Sequence, residues 1–361
     1  MPSGGWALFF VNFMRSRFDV LHLALLSVLL ALVSPALLLA AETGPVGFQH
    51  KDWGLQCDNT RTCRAVGYQA ESGDSEPVSI RLTREAGPNT PVLIDLQVST
   101  EKTSPSALQL KVGKLLLTGL TGDIARVPAS QVPGLLQELL KNQDATVTAG
   151  ADQWVLSLAG ASAVLLKMDE AQGRVGTPGA LVRRGNRPEA SVLGPVPAPR
   201  INVARLVHER KGDAALARPL QDAVDLKDVT EQCNGDTAQR SDVQVRRLTD
   251  NKMLLSMPCA MGAYNFGGLH WIANDRPPYA LQAIDADGEF DAATGSIRSS
   301  MKGRGIGDCW SFQEWHFDGR DFVVTGQSGD DMCRGFAGGA WQLPIRLSKV
   351  VSPTNPVSKK P

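Results

Sequence analysis

Six cysteines, at positions 57, 63, 233, 259, 309 and 333, all follow a long apolar stretch near the N-terminus, and this combination limits what the chain can fold into. The stretch, "VLHLALLSVLLALVSPALLLAA", runs from Val20 to Ala41 behind Arg15 and Arg17. A short basic region, an apolar core and small residues before a polar start make a secretory signal. Translation starts at Met1 or at Met14, since residues 1–13 add nothing to that pattern. Residues 1–41 are read as a signal peptide cleaved near Ala41, or as an uncleaved anchor, because the stretch is long for a signal core. In either case the positive flank stays in the cytoplasm and the rest is exported. The expected location is the periplasm, with an inner-membrane anchor facing the periplasm as the alternative. No cysteine lies near the cleavage region, which argues against a lipid-modified N-terminus.

An oxidising compartment makes disulfides the default state of these cysteines. Metal binding would need tight C-x-x-C or Cys/His clusters, and the sequence has neither. Six cysteines allow fifteen pairings, and sequence alone selects none of them. Proximity favours Cys57–Cys63, Cys233–Cys259 and Cys309–Cys333. In the loop-entropy picture the short first loop contributes about 2 kcal/mol and the other two about 3 kcal/mol each.

The cysteine-bearing segments flank "GNRPEASVLGPVPAPR", Gly185 to Arg200, whose four prolines and weak periodicity read as an extended connector. The expected organisation is therefore a domain over 44–185, a linker over 186–200, a second domain over 201–351 and a disordered tail over 352–361. The fold class expected is α+β: antiparallel-sheet-rich, with two disulfide-clamped domains joined by a Pro-rich linker. In the first domain, Trp53, Leu55 and Cys57 alternate with polar residues, and "PVSIRLTRE" and "PVLIDLQVS" flank the turn "GPNT". "PASQVPGLLQELLKNQ" then has helical spacing with Ser130 placed to cap it, and "AGASAVLLKMDEAQGRVG" reads as a second helix ending near Gly173. The second domain opens on an ambiguous, helix-spaced stretch, 214–228, and is mainly β thereafter. "HFDGRDF" marks a hairpin through its Asp-Gly pair.

Chemical motifs are sparse. With 37 basic and 37 acidic residues the chain shows no basic excess for nucleic acid. "KGRGIGDCW", Lys302 to Trp310, has alternating glycines but lacks G-x-G-x-x-G and a following helix, so it reads as a turn beside a cysteine. "DADGEFD" misses the calcium-loop pattern. No G-x-S-x-G is present. "QEWHFD" places Glu314, His316 and Asp318 on one strand face, with His316 opposite Trp315. A histidine beside aromatics is more often a packed residue than a base. The aromatic residues of the second domain are expected in its core, with a recognition face as the alternative. A Cys309–Cys333 bond would bring Asp308 and Arg334 together, with Arg304 as a second cation suited to a polar or anionic ligand.

The blocks "KDWGLQCDNTRTCRAVGYQ", "LLKMDEAQGRVGTPGALVRRG", "PCAMGAYNF", "KGRGIGDC", "WHFDGRDF" and "MCRG" stand in order along the exported chain. Together they resemble the domain-of-unknown-function family numbered 1176, exported proteins of Gram-negative bacteria. The first block is also remotely similar to invasion-associated locus B proteins. The resemblance implies export and a cysteine framework, and it brings no reaction, cofactor or catalytic residue. The expectation is a non-catalytic binding or envelope-maintenance module. The alternative is a hydrolase or other enzyme acting on an envelope component. Arg304, Asp308, Arg334, Glu314 and His316 are the candidate binding residues; no catalytic residue, metal or cofactor is assigned. The partner expected is an envelope protein or a polar ligand, not nucleic acid, and a membrane only if the signal segment is retained.

Overall fold

The structure, a computed structural model, describes residues 44–99, 107–225, 229, 233, 243–261, 264–330 and 332–353. The signal segment 1–41 and residues 354–361 of the expected tail lie outside them. In the first half, β1 (Val46–His50), β2 (Trp53–Cys57), β3 (Cys63–Tyr68), β4 (Val78–Arg84) and β5 (Val92–Val98) pair in sequence order. After them come β6 (Leu108–Val112), β7 (Leu115–Leu120) and β8 (Ala125–Arg126), which adds to β5 as the sixth strand of that antiparallel sheet. Helix α1 (Val132–Leu139) precedes β9 (Asp144–Ala149) and β10 (Asp152–Ser157), and α2 (Ala161–Ala171) follows. A second sheet has the order β10-β9-β6-β7.

Strand periodicity explains the core. Trp53, Leu55, Ile80, Leu82, Ile94 and Leu96 are buried in one cluster with Leu135, Leu136 and Leu139 of α1 and Val164, Leu165 and Met168 of α2. One expectation is corrected at the start of α1. Ser130 does not cap it, because Ala129–Gln131 forms a 3-10 turn and Gln131 occupies the cap without a side-chain bond. Pro133 supplies the start instead, its ring holding φ near the helical value.

The second half begins with β11 (Arg200–Asn202), a 3-10 turn over Asp213–Leu216 and α3 (Ala217–Asp222). β12 (Gln244–Arg247), β13 (Lys252–Met261), β14 (Asn265–Asn274) and β15 (Gln282–Ile284) form a four-stranded antiparallel sheet. A five-stranded one contains β16 (Glu289–Asp291), β17 (Ser296–Lys302), β18 (Trp310–Phe317), β19 (Phe322–Gly329) and β20 (Leu343–Leu347). β21 (Lys349–Val351) returns to pair in parallel with β11. Leu254 and Ile272 of one sheet pack against Ile297, Trp315 and Phe317 of the other. Thus Trp271, Trp315 and Trp341 are core residues, while Phe266 is 72% exposed. The three disulfides are Cys57–Cys63, Cys233–Cys259 and Cys309–Cys333. No helix among the described residues is long and apolar enough to cross a membrane.

The halves meet through side chains. Phe336, Trp341 and Leu343 share a buried cluster with Val66 and Tyr68. Trp341 Nε1 donates to Ser79 Oγ (2.7 Å), and the Arg81 guanidinium lies 4.3 Å from the Trp341 ring centre. Asn59 pairs its amide with the backbone of Leu347 in both directions, at 2.9 and 2.8 Å. The proline-rich stretch is fastened as well. Gly87 N donates to Leu193 O, Leu193 N to Gln172 O and Val196 N to Thr60 O.

Arg247 anchors the start of the second half. Its fork donates to both oxygens of Asp213 (2.9 and 2.6 Å) and reaches Asp275 at 3.0 Å. These bonds hold the Asp213 carboxyl down at about 2, led by the Arg247 side chain. A carboxyl with a depressed folded value stabilises the fold above its ordinary value of 3.8 and loses that contribution as pH falls toward 2. Asp213→Asn should therefore be less stable than the parent at neutral pH, and the gap should close between about pH 4 and pH 2. Urea titrations at several pH values measure it; a gap independent of pH over that range would contradict the ion pair.

Candidate functional site

The loop "GRGIGDC" joins β17 to β18 and is a braced turn. Gly303 N donates to Cys309 O at 3.0 Å, and Gly307 N to Arg304 O at 3.0 Å. A Cβ on Gly303 would stand 2.6 Å from Cys309 Sγ, so the disulfide passes where any side chain would lie. Asp308 is buried; it accepts Arg304 Nε at 2.7 Å, Arg304 Nη2, and Gly335 N at 2.6 Å. The Arg304 guanidinium holds the Asp308 carboxyl below the usual carboxylate range. An Asp308 carboxylate oxygen and the sulfurs of Cys309 and Cys333 lie within 4.8 Å of one another, but both sulfurs are joined to each other and offer no thiolate.

The expected Asp308–Arg334 pairing is corrected. The disulfide brings the two backbones together, yet the Arg334 side chain leaves in another direction. It donates to Gln69 O at 3.2 Å and meets Asp52 at 3.2 Å, while Gln69 Nε2 donates back to Arg334 O at 2.7 Å. Arg334 is a tie to the first half, and Asp308 receives the neighbouring Gly335 amide instead.

Glu314 lies elsewhere, on the outward face of the five-stranded sheet. Strand register places Arg298, Glu314, Gly326 and Leu347 in one row and Ser300, Phe312, Ser328 and Pro344 in the next. Ile297 and Trp315 point the other way, into the core, because side chains alternate. The rows line a groove of about 490 Å³. Its floor is Gly326, which leaves space between Glu314 and Leu347. Arg298 Nε donates to Glu314 Oε1 at 2.7 Å, and Gln342 Nε2 to Ser328 Oγ at 2.9 Å. Phe312 lies 6.2 Å from Trp310 with the rings within 14° of parallel. Of the four cavities described, this one alone is lined by arginine.

The Glu314–His316–Asp318 trio does not assemble. His316 is buried, and its Nδ1 stands 2.8 Å from Thr325 Oγ1, whose hydroxyl is 3.2 Å from Glu314 O. Burial pushes its pKa down. Thr325 of β19 is the extra residue of a bulge opposite the Glu314–Trp315 step, and Trp315 and His316 are both buried. Asp318 lies beyond β18 and accepts the amides of Arg320 and Asp321 in the hairpin turn.

One pair escapes motif reading. Ser256 Oγ and His270 Nδ1 lie 2.8 Å apart as direct cross-strand partners on β13 and β14. The Gly288 carbonyl, 2.8 Å away, accepts from His270 Nε2, so Nδ1 accepts the Ser256 hydroxyl. His270 is buried, and burial pushes its pKa down. The signal for this pair was hairpin register, since residues equidistant from one turn face each other.

Residues 47–348 match the model of a family described as "Protein of unknown function (DUF1176)". The uncharacterized protein YpfG of Escherichia coli (strain K12) is 28% identical, over 86% of this chain and 95% of that protein. A crystal structure of invasion associated protein B from Bartonella henselae aligns with 36% of this chain and 99% of its own, at 14% identity and a TM-score of 0.29.

Proposed function

Because the chain belongs to the DUF1176 family, a family described without an activity, we propose from its own side chains that it is an exported, non-catalytic binding module of the periplasm, with its ligand in the groove over Gly326. The carrying observation is the outward-facing pair of rows, in which a ring, an ion pair and an amide–hydroxyl pair converge on an open glycine floor. Largely pre-formed clefts with a few convergent polar groups are the usual form of ligand sites. Three disulfides suit an oxidising compartment.

A hydrolase is the second reading, favoured by the Ser256–His270 contact. Against it, His270 is buried, its Nε2 is held by a backbone carbonyl rather than a carboxylate, and none of the four cavities described includes Ser256.

Gly326→Val tests the reading. A Cβ there would meet nothing closer than Glu314 Cβ at 3.9 Å, so the backbone accepts a side chain at this position and its methyls stand in the groove beside Glu314. Valine also suits a strand better than glycine, by roughly 0.5–1 kcal/mol. The variant should melt at the parent's temperature or higher and should lose the envelope components that the parent retains on an affinity column. Undiminished retention would remove the groove from the proposal. Labelling of Ser256 by a fluorophosphonate would reverse the order of the two readings.

A further inference from the structure

We infer that the groove takes a saccharide chain, an inference that rests on the binding reading above. The argument is one of chemical fit. A pyranose ring offers a rim of hydroxyls, each both donor and acceptor, and a C–H face. The groove answers both. Arg298 and Glu314, locked at 2.7 Å, present donor nitrogens and an acceptor oxygen from two planar groups side by side. Ser328 and Gln342 repeat this with a hydroxyl and an amide 2.9 Å apart. Phe312 supplies the apolar surface between them, in the row next to Glu314. Crossing the strands from β17 to β20, the rows span about 14 Å, which suits a chain rather than a single small ion.

Other ligand classes fit less well. A peptide recognised by strand addition needs unpaired backbone at a sheet edge. Here β18 and β19 under the groove are paired on both sides, and the outer edge of β20, the last strand of the sheet, is taken up by Asn59, which bonds the backbone of Ile345 and Leu347. A phosphate or other small anion needs several arginine forks converging in a sheltered site, whereas here Arg298 is held by Glu314 and lies 3.5 Å from Asp291, and the second arginine of the lining, Arg346, is exposed. A lipid tail would need a continuous apolar wall, whereas serine and glutamine line much of this one.

The experiment titrates the full exported chain with cellotetraose, maltotetraose, chitotetraose and a galacturonate tetramer, following amide NMR shifts and the indole Nε1–H resonance of Trp310. At least one should bind, with shifts confined to β17–β20. Phe312→Ala should weaken that binding about tenfold or more, while Leu116→Ala, on an exposed site of β7, should leave it unchanged. Gly326→Val serves as the second variant should Phe312→Ala fail to fold. Binding unaffected by both groove variants would overturn the inference. So would no binding by any tetrasaccharide at about 10 mM while the parent still retains envelope components that Gly326→Val loses; that outcome leaves the binding reading standing. Failure of both assays would remove both.

Discussion

Replacing Arg174 with alanine should destabilise the protein by about 3–5 kcal/mol, the usual consequence of removing one partner from a buried charged network. The side chain is 0% exposed. Its Nε donates to Gln172 Oε1 at 2.8 Å, and its Nη2 donates to Gly87 O at 2.7 Å, Thr90 Oγ1 at 2.6 Å and Glu85 O at 3.1 Å. Its Nη1 lies 3.4 Å from Glu189, whose carboxylate also accepts Gly179 N at 3.0 Å. One guanidinium thus joins the end of α2, the β4–β5 turn and the proline-rich stretch. Alanine would take the donor from Gln172 Oε1 and leave the Gly87 and Glu85 carbonyls to share the single Thr90 hydroxyl, and each unmade bond at a buried acceptor costs about 1–3 kcal/mol. One term opposes this: Arg84, lowered to about 10 by burial first and then by Arg174, would be relieved of a like charge. That relief is smaller than the donors lost. Arg174→Lys should fail nearly as badly, because an ammonium lacks the planar fork. Urea midpoints would measure the change, and proteolysis between 185 and 200 should accelerate in the variant. A loss below about 1 kcal/mol would show that the network is dispensable.

This network shows where sequence reading stops. The prolines between Pro188 and Pro199 announce an extended backbone, because each ring fixes φ. They cannot announce that Leu193 and Val196 are hydrogen-bonded to hairpins formed some hundred residues earlier. Local signals succeeded where the chain's nearest neighbours decide the outcome. The Asp-Gly turn at 318–319 closes β18 on β19, and each disulfide joins cysteines adjacent in sequence order. Side-chain direction is another matter. Arg334 sits beside a bridged cysteine, but its partners Asp52 and Gln69 come from the other end of the chain. The groove was half visible. Alternation along β18 marks Glu314 as a candidate, but its company depends on the register of four strands and on bulges at Glu314/Trp315 and Gln327/Ser328. Nothing in the string around Gly326 says that it lies between Glu314 and Leu347.

Removing the Cys309–Cys333 bond by substituting both cysteines with alanine should cost about 3 kcal/mol from the loop it closes, against about 2 kcal/mol for Cys57–Cys63, because 24 residues separate the first pair and 6 the second. Its effects should reach the first half of the protein. The bond tethers the segment that carries Arg334 to Asp52 and packs Phe336 and Trp341 on Val66 and Tyr68. Amide exchange at Val66–Tyr68 should therefore rise in the variant, while exchange in the β6–β7 hairpin should not. Gly303 makes the claim separable from simple loss of a cross-link. Its missing side chain leaves room for Cys309 Sγ, which a Cβ would approach to 2.6 Å, with Cys333 Sγ at 3.4 Å. In the oxidised protein Gly303→Val must push the bridge aside, an overpacking that typically costs about 1–3 kcal/mol. With both cysteines replaced by alanine the obstruction is gone, and the same substitution should be nearly neutral. A double-mutant cycle in urea measures this coupling. Equal losses in the two backgrounds would mean that the glycine serves the turn alone, and that the loop and the disulfide are independent features of this corner.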